Sequence, residues 1–367
     1  MDASLKQIQE LLEKNSALLS QKTVAAGFDG FVDTVIRVIK TKSEANEPEY
    51  FKEIKEFGNY IAEKDGISFS LETDELFQKL GGNMPILSNA LAHFGVKVNC
   101  MGAFGDPTIH PAFHSMHAGC KLYSFTSPGI TSALEFANGK MLLGQMKDLN
   151  LADWNSVKNK IPIEKIIDIY KSSDIFCFVN WGEVDRSSDI WQGVLADVIP
   201  RIAATPRSKK AFFDLSDCSK RTSEAIKEGL SIIESFNQVV AVTLSLNKNE
   251  AQQVYTTFID VAPPESLEIL GKEIFRKLNI KNLVIHTSKQ AYGWNTESVY
   301  KSASYSIKNP KIITGAGDNF NAGICLGLLL ELDLHHCLSL GNAIAACYIS
   351  NGKSPSVNEL QLNSSQQ

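Results

Sequence analysis

The sequence predicts an α/β protein: a doubly wound, largely parallel sheet with helices on both faces, plus a small β-rich lid. Three observations predict it. Short, continuous apolar runs alternate with segments of helical period, the pattern of parallel strands buried on both faces. The chain has 367 residues, 44% hydrophobic and 21% charged, enough for one large α/β unit with an appendage. Two stretches break the alternation, and each reads as strands inserted outside the main sheet.

The elements follow in order. The opening "MDASLKQIQELLEKNSALL" is an amphipathic helix with Leu5, Ile8, Leu11 and Leu12 on one face. Its acids interrupt any apolar core of the kind a signal peptide needs. The predicted strands are "TVAAGF", "KVNCMGAF", "DIFCFVN", "KKAFFDL", "QVVAVTL" and "KNLVIHT". Helices are expected to start near Met84, Pro111, Ser188, Arg221, Lys248 and Pro264.

The first discordant stretch, between Arg37 and Lys79, predicts a helix with Phe51, Ile54, Phe57 and Tyr60 at helical spacing. An alternating strand, Ile67, Phe69, Leu71, is expected after it. The second, "KLYSFTSPGITSALEFANGKMLLG", predicts a hairpin turning at Asn138-Gly139. The expected division is therefore 1-35, 81-121 and 149-367 in the α/β unit, with 36-80 and 122-148 forming the lid. A lid so placed sits at the carboxyl edge of the strands, where open α/β sheets bind ligands.

Composition excludes several classes. A net charge of −5 gives no footprint for nucleic acid or an anionic membrane surface. The apolar run near Leu326 ends at Glu331 and Asp333, short of a membrane span. Seven scattered cysteines without paired spacing read as reduced core thiols, which points to the cytoplasm. His110, His114 and His117 lie at helical spacing, but no acid completes a ligand set, so no metal is assigned to them.

Four stretches carry chemistry. In "KIITGAGDNFNAGICLGLLL", Gly315, Ala316 and Gly317 strip side chains from a helix start, which makes an anion site of bare N–H groups. Asp318 behind them is placed to take a proton from a hydroxyl attacking phosphorus, and the helix start is expected to lower its pKa. In "LSLNKNEAQQV", Asn247 and Glu250 face one side of a helix start. They suit an outer-sphere magnesium site, although on these residues alone a capping box is the favoured reading. In "KLGGNMPILSN", Gly81-Gly82 permits close ligand approach and Asn83 can bond hydroxyls. In "GFDGFVDTVIRV", Asp33 is the candidate for gripping sugar hydroxyls, while a turn role is favoured for Asp29. Trp181 and Arg221 follow strand ends and are weighed as pocket residues, with core packing an equal reading for Trp181.

The glycine-glycine segment, the Asn247–Glu250 segment and the Gly-Ala-Gly-Asp segment, in that order, resemble the signatures of the ribokinase-like (PfkB) carbohydrate kinases. The resemblance runs from about Thr23 to Pro355. It implies ATP- and magnesium-dependent transfer of a phosphoryl group to a sugar hydroxyl. Asp318 would be the base, and Gly315, Ala316 and Gly317 the anion hole. Asn247 and Glu250 would organise magnesium and phosphates, with Thr287 and Asn342 on the nucleotide side. Asp33, Gly82, Asn83 and Asp29 would line the sugar site. The lid either closes over sugar or pairs with that of a second subunit. A nucleoside kinase of this family and a catalytically weak sugar or nucleotide sensor are the rival readings. Ile312, Ile86 and Pro107 stand where the family carries polar or acidic residues, which argues against strong potassium activation and against a common hexose or ribose.

Overall fold

The computed structural model describes residues 3–43, 46–202, 209–259 and 261–360. Its first strand shows why the sequence folds as it does. β1 (Thr23–Gly27) is apolar throughout, and its side chains alternate between two cores. Val24 and Ala26 face one core, which also holds Leu87, Ala322 and Ile344, while Ala25 faces another built around Trp154, Ile166, Trp191 and Phe213. A strand polar on one side could not sit between two helical layers.

The remaining strands are β2 (Phe31–Ser43), β3 (Asn46–Tyr50), β4 (Thr73–Gly81), β5 (Lys97–Gly102), β6 (Cys120–Ser124), β7 (Gly129–Phe136) and β8 (Gly139–Gln145). After them come β9 (Ile175–Phe178), β10 (Lys210–Asp214), β11 (Ala241–Asn247), β12 (Asn282–His286), β13 (Gln290–Trp294) and β14 (Val299–Ala303). The large sheet runs β14-β13-β12-β11-β10-β9-β1-β5-β6. It is parallel from β6 to β12 and closes with two antiparallel strands. From β1 the chain first builds outward through β5 and β6, then returns to add β9 to β12 on the other side. The β1/β9 junction is thus the topological switch point, the place where such sheets open a ligand crevice.

The small sheet is β3-β2-β7-β8, with β4 also paired to β2. The hairpin is present, but its two-residue turn is Ala137-Asn138, one residue earlier than expected, because Gly139 already pairs with Phe136 as the first residue of β8. Its own core is Val38, Phe51, Phe57, Leu134 and Phe136.

Several expectations need correction. The first lid segment has its helix at Ile54–Ala62, so Phe51 lies before it, although Phe51 still packs edge-on against Phe57. The strand that follows is Thr73–Gly81, whereas Ile67, Phe69 and Leu71 lie outside any strand. Near Pro111 there is one five-residue 3₁₀ turn, capped by His110 accepting from the Ala112 amide. The sheet boundaries also shift. β2 begins at Phe31, so residues 31–35 pair within the small sheet, and β6 pairs with β5, so residues 122–124 belong to the large one.

Candidate active site

Asp29 sits just past β1, at the switch point, and is fully buried. Its carboxylate accepts the amides of Asn83 (2.8 Å) and Met84 (2.9 Å) at the start of the Asn83–His93 helix, and the Asn180 side chain (2.6 Å). It is a cap that fixes this helix to the strand ends, the turn role favoured for it. Burial pushes its pKa up to about 6 against the pull of those donors. Gly82 has φ of 94°, and a Cβ there would stand 2.7 Å from an Asp29 oxygen, so the double glycine is what lets the helix start meet its cap.

The Asn83 side chain spans to the next strand end, donating to Ser216 Oγ (2.7 Å). Asp33 approaches from the lid side. It is opposite Lys79 of β4 and Thr131 of β7, and a Cβ on Gly81 would lie 2.7 Å from its carboxylate. Burial raises its pKa, opposed by Lys79. The structure therefore gathers Gly81, Gly82, Asn83, Asp29 and Asp33 at one corner.

At the helix Ala316–Leu329, Gly315 takes the left-handed conformation (φ 92°). A side chain there would meet the Tyr348 hydroxyl at 2.7 Å, and that hydroxyl donates to the Thr314 carbonyl (2.8 Å). The Ala316 amide bonds back to Ile313, whereas the Gly317 amide has no acceptor among the described residues. That bare donor at a helix start is the feature an anion site needs.

Asp318 departs from the sequence expectation. Its pKa is raised well above the carboxylate range, first by burial and then by the charges of Asp214, Asp29 and Glu250. The helix start favours the anion, but its worth is a fraction of what full desolvation beside three like charges costs. Burial wins. Asp214, at the end of β10, is likewise held up at about 6 by burial. It accepts from the Ser216 amide (2.7 Å) and from the Asn321 side chain on the Asp318 helix, and Asn321 in turn accepts from Ser245 of β11 (2.8 Å).

Asn247 and Glu250 adopt the capping-box geometry. The Asn247 amide and side chain donate to Glu250 (2.8 and 2.5 Å), and the Glu250 amide donates to Asn247 Oδ1 (3.0 Å). Glu250 is buried, with its pKa raised by burial and by Asp214. The pair borders a polar cleft of about 780 Å³ that Asp217 and Arg221 also line.

Thr287 closes the β12–β13 turn, its hydroxyl donating to the Gln290 carbonyl (2.9 Å). The Asn342 amide ties β14 to its helix through the Ser302 and Ala303 carbonyls and accepts from Ser304 (3.0 Å). Arg221 is a strut rather than a grip. It donates to the carbonyls of Trp181 (2.8 Å), Gly182 (3.1 Å) and Val184 (2.6 Å) and stacks on Trp181, which is 1% exposed and part of the core.

Sequence reasoning missed Asn180, Ser216, Asn321 and Ser245, and noted Asp214 only as the end of a strand. The signal that could have found them is position. Polar residues at the carboxyl ends of neighbouring buried strands must converge on one edge.

Solved structures share this fold. Arabidopsis thaliana ribokinase complexed with ribose and ATP superposes with a TM-score of 0.64 at 14% identity, covering 92% of this chain and 97% of that one. Ribokinase from Thermotoga maritima gives 0.59 at 13%, over 92% and 97%. Adenosine kinase from Sinorhizobium meliloti gives 0.60 at 15%, over 89% and 93%. The fold is that of the ribokinase-like kinases, and the family profile and curated relative that follow make the chain a phosphotransferase whose acceptor is a sugar hydroxyl. Ketohexokinase from Haloferax volcanii is 24% identical over 341 residues, 92% of this chain and 89% of its own length. The profile of the prokaryotic ketohexokinase family matches residues 2–366, and this chain belongs to that family.

Proposed function

We propose that the protein is an ATP-dependent ketohexokinase that transfers the γ-phosphoryl group to a hydroxyl of a ketohexose. The observation that carries this reading is a buried carboxylate, Asp318, directly behind the bare Gly317 amide at a glycine-rich helix start. Asp33, Gly82 and Asn83 hold the sugar, with Asp29 fixing the loop that presents them. The acceptor oxygen attacks the γ-phosphorus as its proton passes to Asp318, the bond from that phosphorus to the β–γ bridging oxygen breaks, and ADP leaves, while the Gly317 amide and helix dipole receive charge on the phosphoryl oxygens. The elevated pKa makes Asp318 a stronger base than a helix-start aspartate should be, which suits proton abstraction from an alcohol.

The donor set fits magnesium. Among the described residues, the leading charges acting on Glu250 and Asp318 are all acidic. No group of three or more His, Cys, Asp or Glu side chains with direct ligand geometry occurs among the described residues. Asn247 and Glu250 would therefore hold magnesium through its water shell. When bound, it supplies positive charge to the phosphates and to these acids. Thr287 and Asn342 shape the nucleotide side through the β12–β14 turns. A cytoplasmic site of action agrees with seven free cysteines, and no described helix is long and apolar enough to cross a membrane. Pairing of two lids in a homodimer is supported by the exposed Leu76, Phe77, Leu142 and Leu143 on the small sheet.

The test is an acceptor screen with ATP and magnesium, read by ADP release and by ³¹P NMR of the product. A ketohexose should exceed ribose, aldohexoses and nucleosides in kcat/KM by at least about tenfold, the margin one well-made polar contact confers. A nucleoside preferred over every sugar, or no turnover with any acceptor, would overturn the reading.

A further inference from the structure

His286 ends β12, and three independent observations place it in the gap between the two phosphate-side motifs. In the parallel register of β11 and β12 it lies directly beside Asn247, so the two side chains leave the sheet on the same face. Its ring packs on Phe320 of the Asp318 helix, with centroids 4.6 Å apart. Its Cε1 is 3.6 Å from the point that a Cβ on Gly317 would occupy. The imidazole therefore packs against the first turn of the Asp318 helix, at Gly317 and Phe320, on the sheet face it shares with Asn247.

The ring is only partly buried, and neither nitrogen has a hydrogen-bond partner among the described residues. A neutral imidazole has one N–H to donate and one nitrogen to accept. A histidine kept for packing alone would be an odd choice at this position. Both of its ring nitrogens are unused, beside a bare amide and a helix start that together attract anions. A ligand of the right charge completes all three.

We propose that His286 donates a hydrogen bond to the terminal phosphates of the bound nucleotide, acting with the Gly317 amide as a side-chain member of the anion hole. This rests on the kinase reading of the edge and adds to it a residue that the Gly-Ala-Gly motif does not contain. As a neutral donor, His286 adds no fixed charge between Asp318 and Glu250, so it can contact phosphate without a salt bridge to those acids. The contact is made to the nucleotide and not to the sugar, so its loss should appear in the nucleotide parameters alone.

The experiment uses the full chain with imidazole ¹⁵N-labelled histidine, His286 being assigned by its disappearance in His286→Gln. The nonhydrolysable β,γ-imido analogue of ATP should move the His286 nitrogens to hydrogen-bonded values, and adenosine should leave them in place. His286→Ala should raise KM for ATP roughly tenfold or more, the usual loss for one hydrogen bond to a charged partner, with the sugar KM within about twofold of wild type. His286→Gln, which retains an N–H donor, should recover most of that loss. Two results would overturn the proposal. One is wild-type protein that binds the analogue by calorimetry while the His286 signals stay fixed, which leaves the kinase reading standing. The other is wild-type protein that binds no nucleotide at all, which removes both. A His286→Ala variant that loses thermal stability does not obscure the outcome, because the ¹⁵N readout is taken on the wild-type chain.

Discussion

The carboxyl edge of the large sheet and the face of the small sheet are built on opposite terms. At the edge, Asp29, Asp214, Glu250 and Asp318 are all under 9% exposed, and hydrogen bonds link Asp29, Asp214 and Glu250 to neighbouring strand ends and helix starts. On the small sheet, Phe77 is 50% exposed and Leu142 63%, and its ion pairs, Lys40–Glu56 and Lys42–Glu72, lie at the surface. Buried polar networks position groups to fractions of an ångström but cost desolvation, while exposed pairs contribute little and move freely. On the proposed reading, that contrast divides the labour: chemistry would sit on the rigid edge, and admission and closure on the lid.

The largest expected effect breaks the edge at its centre. Asp318→Asn should cut kcat by about 10² to 10⁴, the range for losing a positioned base, and leave nucleotide affinity within a few-fold. Steady-state kinetics with calorimetry for ADP checks both halves, and near-wild-type turnover would remove Asp318 from the mechanism. A step down in size, Glu250→Gln should raise the magnesium concentration for half-maximal rate by roughly tenfold, because one charged partner of the water shell is lost. An altered sugar KM with an unchanged magnesium titration would place Glu250 on the other side of the site.

The edge also makes a pH prediction whose sign follows from burial. Asp29 and Asp214 have folded pKa values near 6 against 3.8 unfolded, so between those limits the native chain holds protons that the unfolded chain has released. Their contribution to stability is fully present below about pH 4 and is lost as pH rises through about 6. Each such proton is worth up to about 1.4 kcal/mol per pH unit. Denaturant melts of the magnesium-free protein should show Asp214→Asn falling less steeply between pH 4.5 and 6.5 than wild type. Parallel slopes would mean that Asp214 is ionised in the native chain as in the unfolded one, with no raised pKa.

The same contrast explains what could be read from sequence. Strands such as "DIFCFVN" were legible because burial on both faces leaves a continuous apolar run, and the helix-start glycines because few residue types satisfy an anion site. β4 was not. "TDELFQKLG" is exposed at Leu76 and Phe77 and pairs with β2 through a register shift between Val35 and Ile36, so no period of two survives. The alternation at Ile67, Phe69 and Leu71 was real as a pattern but had no strand to pair with. The elevated pKa of Asp318 was hidden for another reason: its causes are burial first and then the charges of Asp214, Asp29 and Glu250, which come from distant strand ends and a helix start, and no local window contains them.

The smallest effect tests the lid, and the corrected strand changes where to look. Asp33 lies between Lys79 and Thr131 across the β4-β2-β7 pairing, so a sugar bound there, as proposed, would be held by the strands themselves and not by the loop around Gly66. A sheet this small, with most of β4 exposed, opens easily, and its amides should exchange fast in the free protein. Ligand that bridges Asp33 to the Gly82–Asn83 corner would tie β4 to the large sheet at its Gly81 end. Hydrogen exchange should then slow by about threefold to tenfold over residues 73–81 and 131–144, the gain expected when local opening is coupled to occupancy. Residues 66–72, outside any strand, should change less. Equal protection across 66–81, or protection confined to Leu142 and Leu143 in a dimer without sugar, would assign the ordering to subunit pairing instead of closure.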